Sequence, residues 1–148
     1  MNLKFELKPN IGIGPVKLGS PRSVAIDSMG LAPESFMKTP MSVHPTDSFY
    51  DAGFQIFYEG LEPVVESIEL SRGCGFDAIL SGVNILDLSV NDALLKVEEL
   101  TGIKPQTEDD GYTYEIDQLG FWLWRPTNET EGEDGLCFST IGIGHVST

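Results

Sequence analysis

Leu3, Phe5 and Leu7 alternate with Lys4, Glu6 and Lys8, the two-residue period of a strand with one buried face. A second extended piece follows at Ile11-Gly12-Ile13-Gly14-Pro15-Val16. Ser20 before Pro21 reads as an N-cap followed by proline at the first helical position, with Ser23 at the third. Val24, Ala25, Ser28 and Met29 then form the expected buried face, and Gly30 with Pro33 beyond it stops the helix. Residues 33–49, with Pro33, Pro40 and Pro45, read as a long irregular connection. Phe54, Ile56 and Tyr58 alternate, as do Val64, Glu66, Ile68 and Leu70 against Val65, Ser67 and Glu69. With Gly60-Leu61-Glu62-Pro63 between them, these runs predict a hairpin. Phe76-Asp77-Ala78-Ile79-Leu80 adds a strand after the Gly73-Cys74-Gly75 turn. A second helix is capped by Ser89, with Asp92 as capping-box partner. Val90, Ala93, Leu94, Val97 and Leu100 line one stripe, Glu98 and Glu99 face out, and Gly102 ends it. Strands are expected near 112–116, 119–125 and 136–143, the last two separated by an acidic loop at 128–135.

The order of these elements repeats. Val16-Lys17-Leu18-Gly19-Ser20-Pro21-Arg22-Ser23, a helix and Gly30-Leu31-Ala32-Pro33 are answered by Leu86-Asp87-Leu88-Ser89-Val90-Asn91-Asp92, a longer helix and Gly102-Ile103-Lys104-Pro105. Gly53 through Phe57 answers Gly120 through Trp124, and Val65 through Leu70 answers Phe138 through Ile143. One such unit buries too little surface alone, whereas two side by side share a core. The expected fold is therefore α+β, a single domain over 1–148 built as a tandem duplication of a helix plus antiparallel strands, with repeats at about 12–72 and 84–144. The strands would form one curved sheet with two helices on one face, leaving the other face partly open as a binding surface.

Charge narrows the function. The chain carries 9 basic and 23 acidic residues for a formal net charge of −14. Residues 1–50 hold five basic and four acidic side chains, so the excess lies in the remaining 98 residues. Such a field repels nucleic acid and anionic membranes and attracts basic partners, speeding encounter by about 10–10³ at low salt. No apolar run approaches the roughly 18 residues of a membrane span, and the amino terminus reads as neither signal peptide nor anchor. Cys74 and Cys137 are too few and too isolated for a disulfide scaffold or a CxxC zinc site, and read as reduced thiols of a cytoplasmic protein.

Candidate chemistry is sparse. Ile11-Gly12-Ile13-Gly14-Pro15 and Ile141-Gly142-Ile143-Gly144-His145 lack the third glycine of a dinucleotide fingerprint and the lysine of a phosphate loop, so their glycines mark bulges, bends or close approach. His44 and His145 stand outside any HxH or HExxH spacing, and the acidic runs do not follow a calcium loop, so no metal or cofactor is expected. Cys137 and His145, eight residues apart, would lie about 26 Å apart along an extended strand, too far for a catalytic pair. Trp122 and Trp124 share one strand face, with Phe121 and Leu123 on the other, which predicts an interior strand. Acidic residues flank that strand: Glu108, Asp109 and Asp110 before it, and Glu129, Glu131, Glu133 and Asp134 after it. An aromatic patch rimmed by carboxylates suits a basic protein partner, with tryptophans as anchors.

Two resemblances bear on this reading. The capped helix from Leu18-Gly19-Ser20 to Gly30 with its antiparallel strands, present twice from about Gly12 to Gly144, resembles the tandem helix-plus-sheet units of β-lactamase-inhibitor-like proteins and of outer-membrane-assembly lipoprotein modules. Leu119-Gly120-Phe121-Trp122-Leu123-Trp124-Arg125-Pro126, with Phe138 through Gly144, resembles small acidic immunity proteins of bacterial toxin systems, including contact-dependent growth inhibition. That second resemblance implies a non-enzymatic inhibitor that neutralises a usually basic toxin domain. The expected action is stoichiometric occlusion of a basic protein partner, by a monomer or homodimer. The alternative is a small-ligand-binding protein or enzyme with its site in the concave sheet, near His44 or Cys137.

Overall fold

A computed structural model describes residues 3–128 and 136–146. Strands β1 (Leu3–Lys8), β2 (Gly12–Ile13) and β3 (Val16–Lys17) lead into helix α1 (Arg22–Met29), and then come β4 (Glu34–Phe36), β5 (Thr46–Phe49), β6 (Phe54–Glu59) and β7 (Val64–Ser71). β8 (Phe76–Leu80) and β9 (Val83–Asn84) pass through a 3-10 turn into α2 (Val90–Thr101), followed by β10 (Thr113–Ile116), a second 3-10 turn, β11 (Phe121–Trp124) and β12 (Thr140–Gly144).

The fold is α+β, as the patterning predicts, but the strands divide between two sheets and do not form one. The order is β3-β2-β1-β8-β9 in the smaller sheet and β10-β11-β12-β7-β6-β5-β4 in the larger. The division has a plain cause. β1 pairs in parallel with β8, from Leu3 opposite Phe76 to Leu7 opposite Leu80, and β2 and β9 take the outer edges of that pair. No edge of β1 or β8 is left to join the larger sheet, so the smaller sheet stacks on its face. Phe5 packs edge-on against Phe54 and Phe76 at ring-centroid distances of 4.9 and 5.2 Å, which joins the two layers in one apolar core.

Within the larger sheet, Phe54, Gln55, Ile56 and Phe57 lie opposite Leu70, Glu69, Ile68 and Ser67. Phe121, Trp122, Leu123 and Trp124 lie opposite Ile143, Gly142, Ile141 and Thr140. β7 and β12 pair antiparallel at the centre, with Glu69 opposite Gly142. The inward set, including Phe54, Ile56, Ile68, Leu70, Phe121, Leu123, Ile141 and Ile143, is wholly or almost wholly buried.

Both helices end at glycines in the left-handed conformation, Gly30 and Gly102, where a side chain would be strained. Ser89 caps α2 as predicted, accepting the Asp92 N–H at 3.2 Å. At α1 the N-cap is Pro21 and not Ser20. Residues 19–22 are pinned in extended form to the start of β7, through Gly19 N–H to Val65 O, Val65 N–H to Ser20 O and Arg22 N–H to Pro63 O, so Ser20 is held out of the helix. Ala25 and Met29 are buried, but Val24 is exposed. The stretch read as irregular, 33–49, contains β4 and β5. Its polar residues Thr46, Asp47 and Ser48 are buried, and Asp47 is satisfied from afar. Arg22 of α1 donates to both carboxylate oxygens (2.9 and 2.8 Å), and Ser35 and Tyr58 add bonds of 2.6 Å each. Burial alone would push the Asp47 carboxyl up, but the bonds from Arg22, Ser35 and Tyr58 outweigh it and leave it below its ordinary value. This buried cluster clamps α1 to β5.

Candidate functional site

The outer face of the larger sheet is where the charge excess and the aromatic side chains meet. Register puts Gln55, Glu69, Gly142, Trp122 and Glu115 in one row across β6, β7, β12, β11 and β10. A neighbouring row holds Phe57, Ser67 and Gly144, and the row on the other side holds Ser71, Thr140, Trp124 and Thr113. The floor is therefore small and polar along the central strands, with aromatic rings on either side. Gly142 is required by what lies over it: a Cβ there would come within 2.3 Å of the Trp122 indole. The ring lies flat across β12 and its Nε1–H donates to Glu69 Oε1 at 3.2 Å, fixing both side chains. Trp124 stays 39% exposed.

β7 adds a second carboxylate through an irregularity. Phe57 pairs with Ser67, yet Tyr58 pairs with Val65, so Glu66 is the extra residue of a β-bulge. Its carbonyl accepts the His145 N–H at 3.1 Å, and its side chain stays exposed. Glu66 and Glu69 with Glu59 line a cleft of about 670 Å³ over β6 and β7. The far wall comes from the connection between β4 and β5, held by His44 donating to the Gly60 carbonyl at 2.5 Å. From that wall Lys38 extends its ammonium to 4.4 Å from the centre of the Phe57 ring.

The opposite edge is acidic too. Glu115, beside Trp122, lines a cleft of about 360 Å³ with Glu108, Asp117 and Lys104, and a smaller one of about 300 Å³ with Glu66, Asp117, Trp122 and His145. Partial burial, then the nearby charges of Asp117, Glu108 and Asp109, raise the Glu115 carboxyl above its ordinary value. Like charges are thus crowded at this edge at a small cost to the free protein, and a cationic partner would relieve it.

Trp122 and Trp124 share the outer face and Phe121 and Leu123 the core, and β11 is an interior strand, as expected. Glu108, Asp109 and Asp110 lie exposed in the loop before β10. Asp109 braces that loop by accepting the Thr113 N–H at 2.8 Å and the Thr107 hydroxyl at 3.1 Å, bonds that lower its carboxyl. Glu129, Glu131, Glu133 and Asp134 lie outside the described residues. Sequence reasoning missed Glu66, Glu69, Glu115 and Asp117. The alternation that sets Glu69 on the face opposite Ile68 and Leu70 was legible, but the convergence of these carboxylates depends on which strands become neighbours. Cys74 and Cys137 are free thiols, and among the described residues no group of three or more His, Cys, Asp or Glu could hold a metal ion. No described helix is long and apolar enough to cross a membrane.

Compared with protein-family models, with curated proteins and with solved structures, the chain matches none.

Proposed function

We propose that this chain is a non-enzymatic protein-binding inhibitor that engages a basic partner on the outer face of its larger sheet, as an immunity protein neutralising a bacterial toxin domain would, in the cytoplasm. The observation that carries the reading is the convergence of Glu66, Glu69, Glu115 and Asp117 around Trp122 and beside the exposed Trp124. Carboxylates around aromatic anchors supply electrostatic steering at the rim and buried contact area at the centre. A specific complex would cover roughly 800 Å² of this face. The test is capture from the native lysate at low and high salt with mass spectrometry, then reconstitution with the purified partner. A single stoichiometric basic protein whose binding weakens with salt supports the reading. A partner of acidic or neutral charge, or one insensitive to reversal of the outer-face carboxylates, overturns it.

The tandem duplication belongs with this proposal. Aligning Gly53–Phe57 with Gly120–Trp124 and Val65–Leu70 with Phe138–Ile143 makes every β6–β7 pair from Phe54 to Phe57 correspond to a β11–β12 pair. Under that alignment Glu69 and Gly142, which face each other, are also equivalent, the condition for a two-fold axis through the centre of the sheet. The helix N-caps agree: Pro21 bridges to Val64, and Ser89 bridges to Cys137. The axis emerges on the proposed binding face.

A second reading is favoured by the 670 Å³ cleft beside His44, large enough for a small molecule. No partner in the lysate, together with a thermal-shift response to a metabolite panel, would support it.

A further inference from the structure

Lys38 lines the cleft on the outer face and lies over the Phe57 ring. The cleft over β6 and β7 contains three carboxylates, Glu59, Glu66 and Glu69. The ion pairs among the described residues are Arg22–Asp47 and Lys96–Glu99, and Lys38 is in neither. Its ammonium instead sits 4.4 Å above the Phe57 ring, with the carboxylates around the same space. An aromatic floor within a carboxylate rim is a cation-binding arrangement, and a cation is what the protein itself places there. The segment that carries Lys38 is tied by hydrogen bonds among Thr39, Met41 and Ser42 and presents apolar side chains to solvent. Met37, Met41 and Val43 on it are exposed at 50%, 88% and 82%. Of these, Val43 lines the cleft, and with fully exposed Leu61 it offers apolar surface to the aliphatic stem of an incoming side chain.

We propose that this cleft is a subsite for one basic side chain of the protein partner, and that Lys38 fills its aromatic floor in the free protein and yields it on binding. The inference rests on the reading above that the outer face engages a basic protein. Arginine is the better fit: its planar guanidinium stacks on Phe57 while its fork donates to the carboxylate of Glu66 or Glu69, which a lysine ammonium cannot match in geometry. The internal lysine sets a threshold. An exposed cation–π contact shifts an equilibrium by about two- to fivefold, so weakly bound cations compete poorly while a partner with many contacts loses little.

The test is a nuclear magnetic resonance titration of the intact protein with N-acetyl-arginine amide at millimolar concentration, with the uncharged citrulline analogue as control. Wild type, Lys38→Met, Phe57→Leu and the double variant are compared, each checked for a folded spectrum. The arginine probe, and not citrulline, is expected to shift the Phe57 ring, the Lys38 side chain and the Glu66 and Glu69 amides. Lys38→Met should tighten binding about two- to fivefold, and the gain should vanish in the Phe57→Leu background. The double variant separates loss of a competitor from mere removal of a positive charge. An equal gain with and without Phe57, or shifts confined to Trp122, Trp124 and Glu115, overturns the subsite while leaving the basic-partner reading in place. No shift in any variant, or equal shifts with citrulline, overturns the subsite; the basic-partner reading falls instead if the captured partner is not basic or its binding does not weaken with salt.

Discussion

The three strands β5, β6 and β7 and the three strands β10, β11 and β12 share one pairing pattern but fill it differently. Phe49 opposite Phe54 has its counterpart in Ile116 opposite Phe121, and Asp47 opposite Ile56 in Tyr114 opposite Leu123. On the inner face, Asp47 holds Arg22, Ser35 and Tyr58, whereas Tyr114 packs its ring edge-on to Phe138 at 5.8 Å. On the outer face, Phe57 is covered by Lys38 whereas Trp124 is exposed, and Glu69 stands where the other half has Gly142. The same pairing pattern therefore accepts either a polar clamp or apolar packing on its inner face. The unequal outer residues concentrate charge on β7 and β10 and aromatic surface on β11.

The comparison breaks most directly at the two inner anchors. Phe138→Ala should cost about 3–5 kcal/mol, because a fully buried ring leaves a cavity the sheet cannot close. Asp47→Ala should cost about 3 kcal/mol, toward the lower end for a broken buried pair, because the Arg22 side chain is 31% exposed and can reach water. Urea titration of both variants checks whether clamp and packing carry similar weight. The clamp differs in its pH response. The folded Asp47 carboxyl lies below its ordinary value of 3.8, so its stabilisation is present above that value and is lost as pH falls through the folded one. Asp47→Asn should flatten the acid limb of the stability curve, and Phe138→Ala should leave its slope unchanged.

On the outer face, Gly142→Ala should cost about 1–3 kcal/mol and shift tryptophan emission to longer wavelength, because the added methyl lifts the Trp122 ring from β12. Glu115→Gln has the smallest effect. Its carboxyl is raised in the folded protein above the ordinary 4.5, so ionisation costs stability as pH rises past that value. The variant should be more stable than wild type near neutral pH, by less than about 0.5 kcal/mol, and no different at pH 3.

Periodicity made β1, the β6–β7 hairpin, α2 and the two-faced β11 legible, because each is set by side chains close in sequence. β4 and β5 were not. Thr46-Asp47-Ser48 reads as loop until Arg22, twenty-five residues away from Asp47, is seen to satisfy its carboxylate. The split into two sheets was hidden for a similar reason, since it depends on the parallel pairing of β1 with β8 across some seventy residues. At the candidate site, the facing of Trp122 and Trp124 was legible from alternation alone. The bulge that turns Glu66 outward and the row joining Glu69 to Glu115 through Gly142 and Trp122 come from strand order, which local patterning does not encode.

The measurement closest to the central claim is the association rate of the captured basic partner at low salt with two charge-reversed proteins. One carries Glu66→Lys, Glu69→Lys and Glu115→Lys on the outer face. The other carries Glu6→Lys, Asp27→Lys and Glu99→Lys, a change of equal net charge on the smaller sheet and the helices. Steering by the outer face predicts an association rate at least about tenfold slower for the first protein and little changed for the second. Equal slowing of both, or none in the first, would contradict the assignment of the binding face.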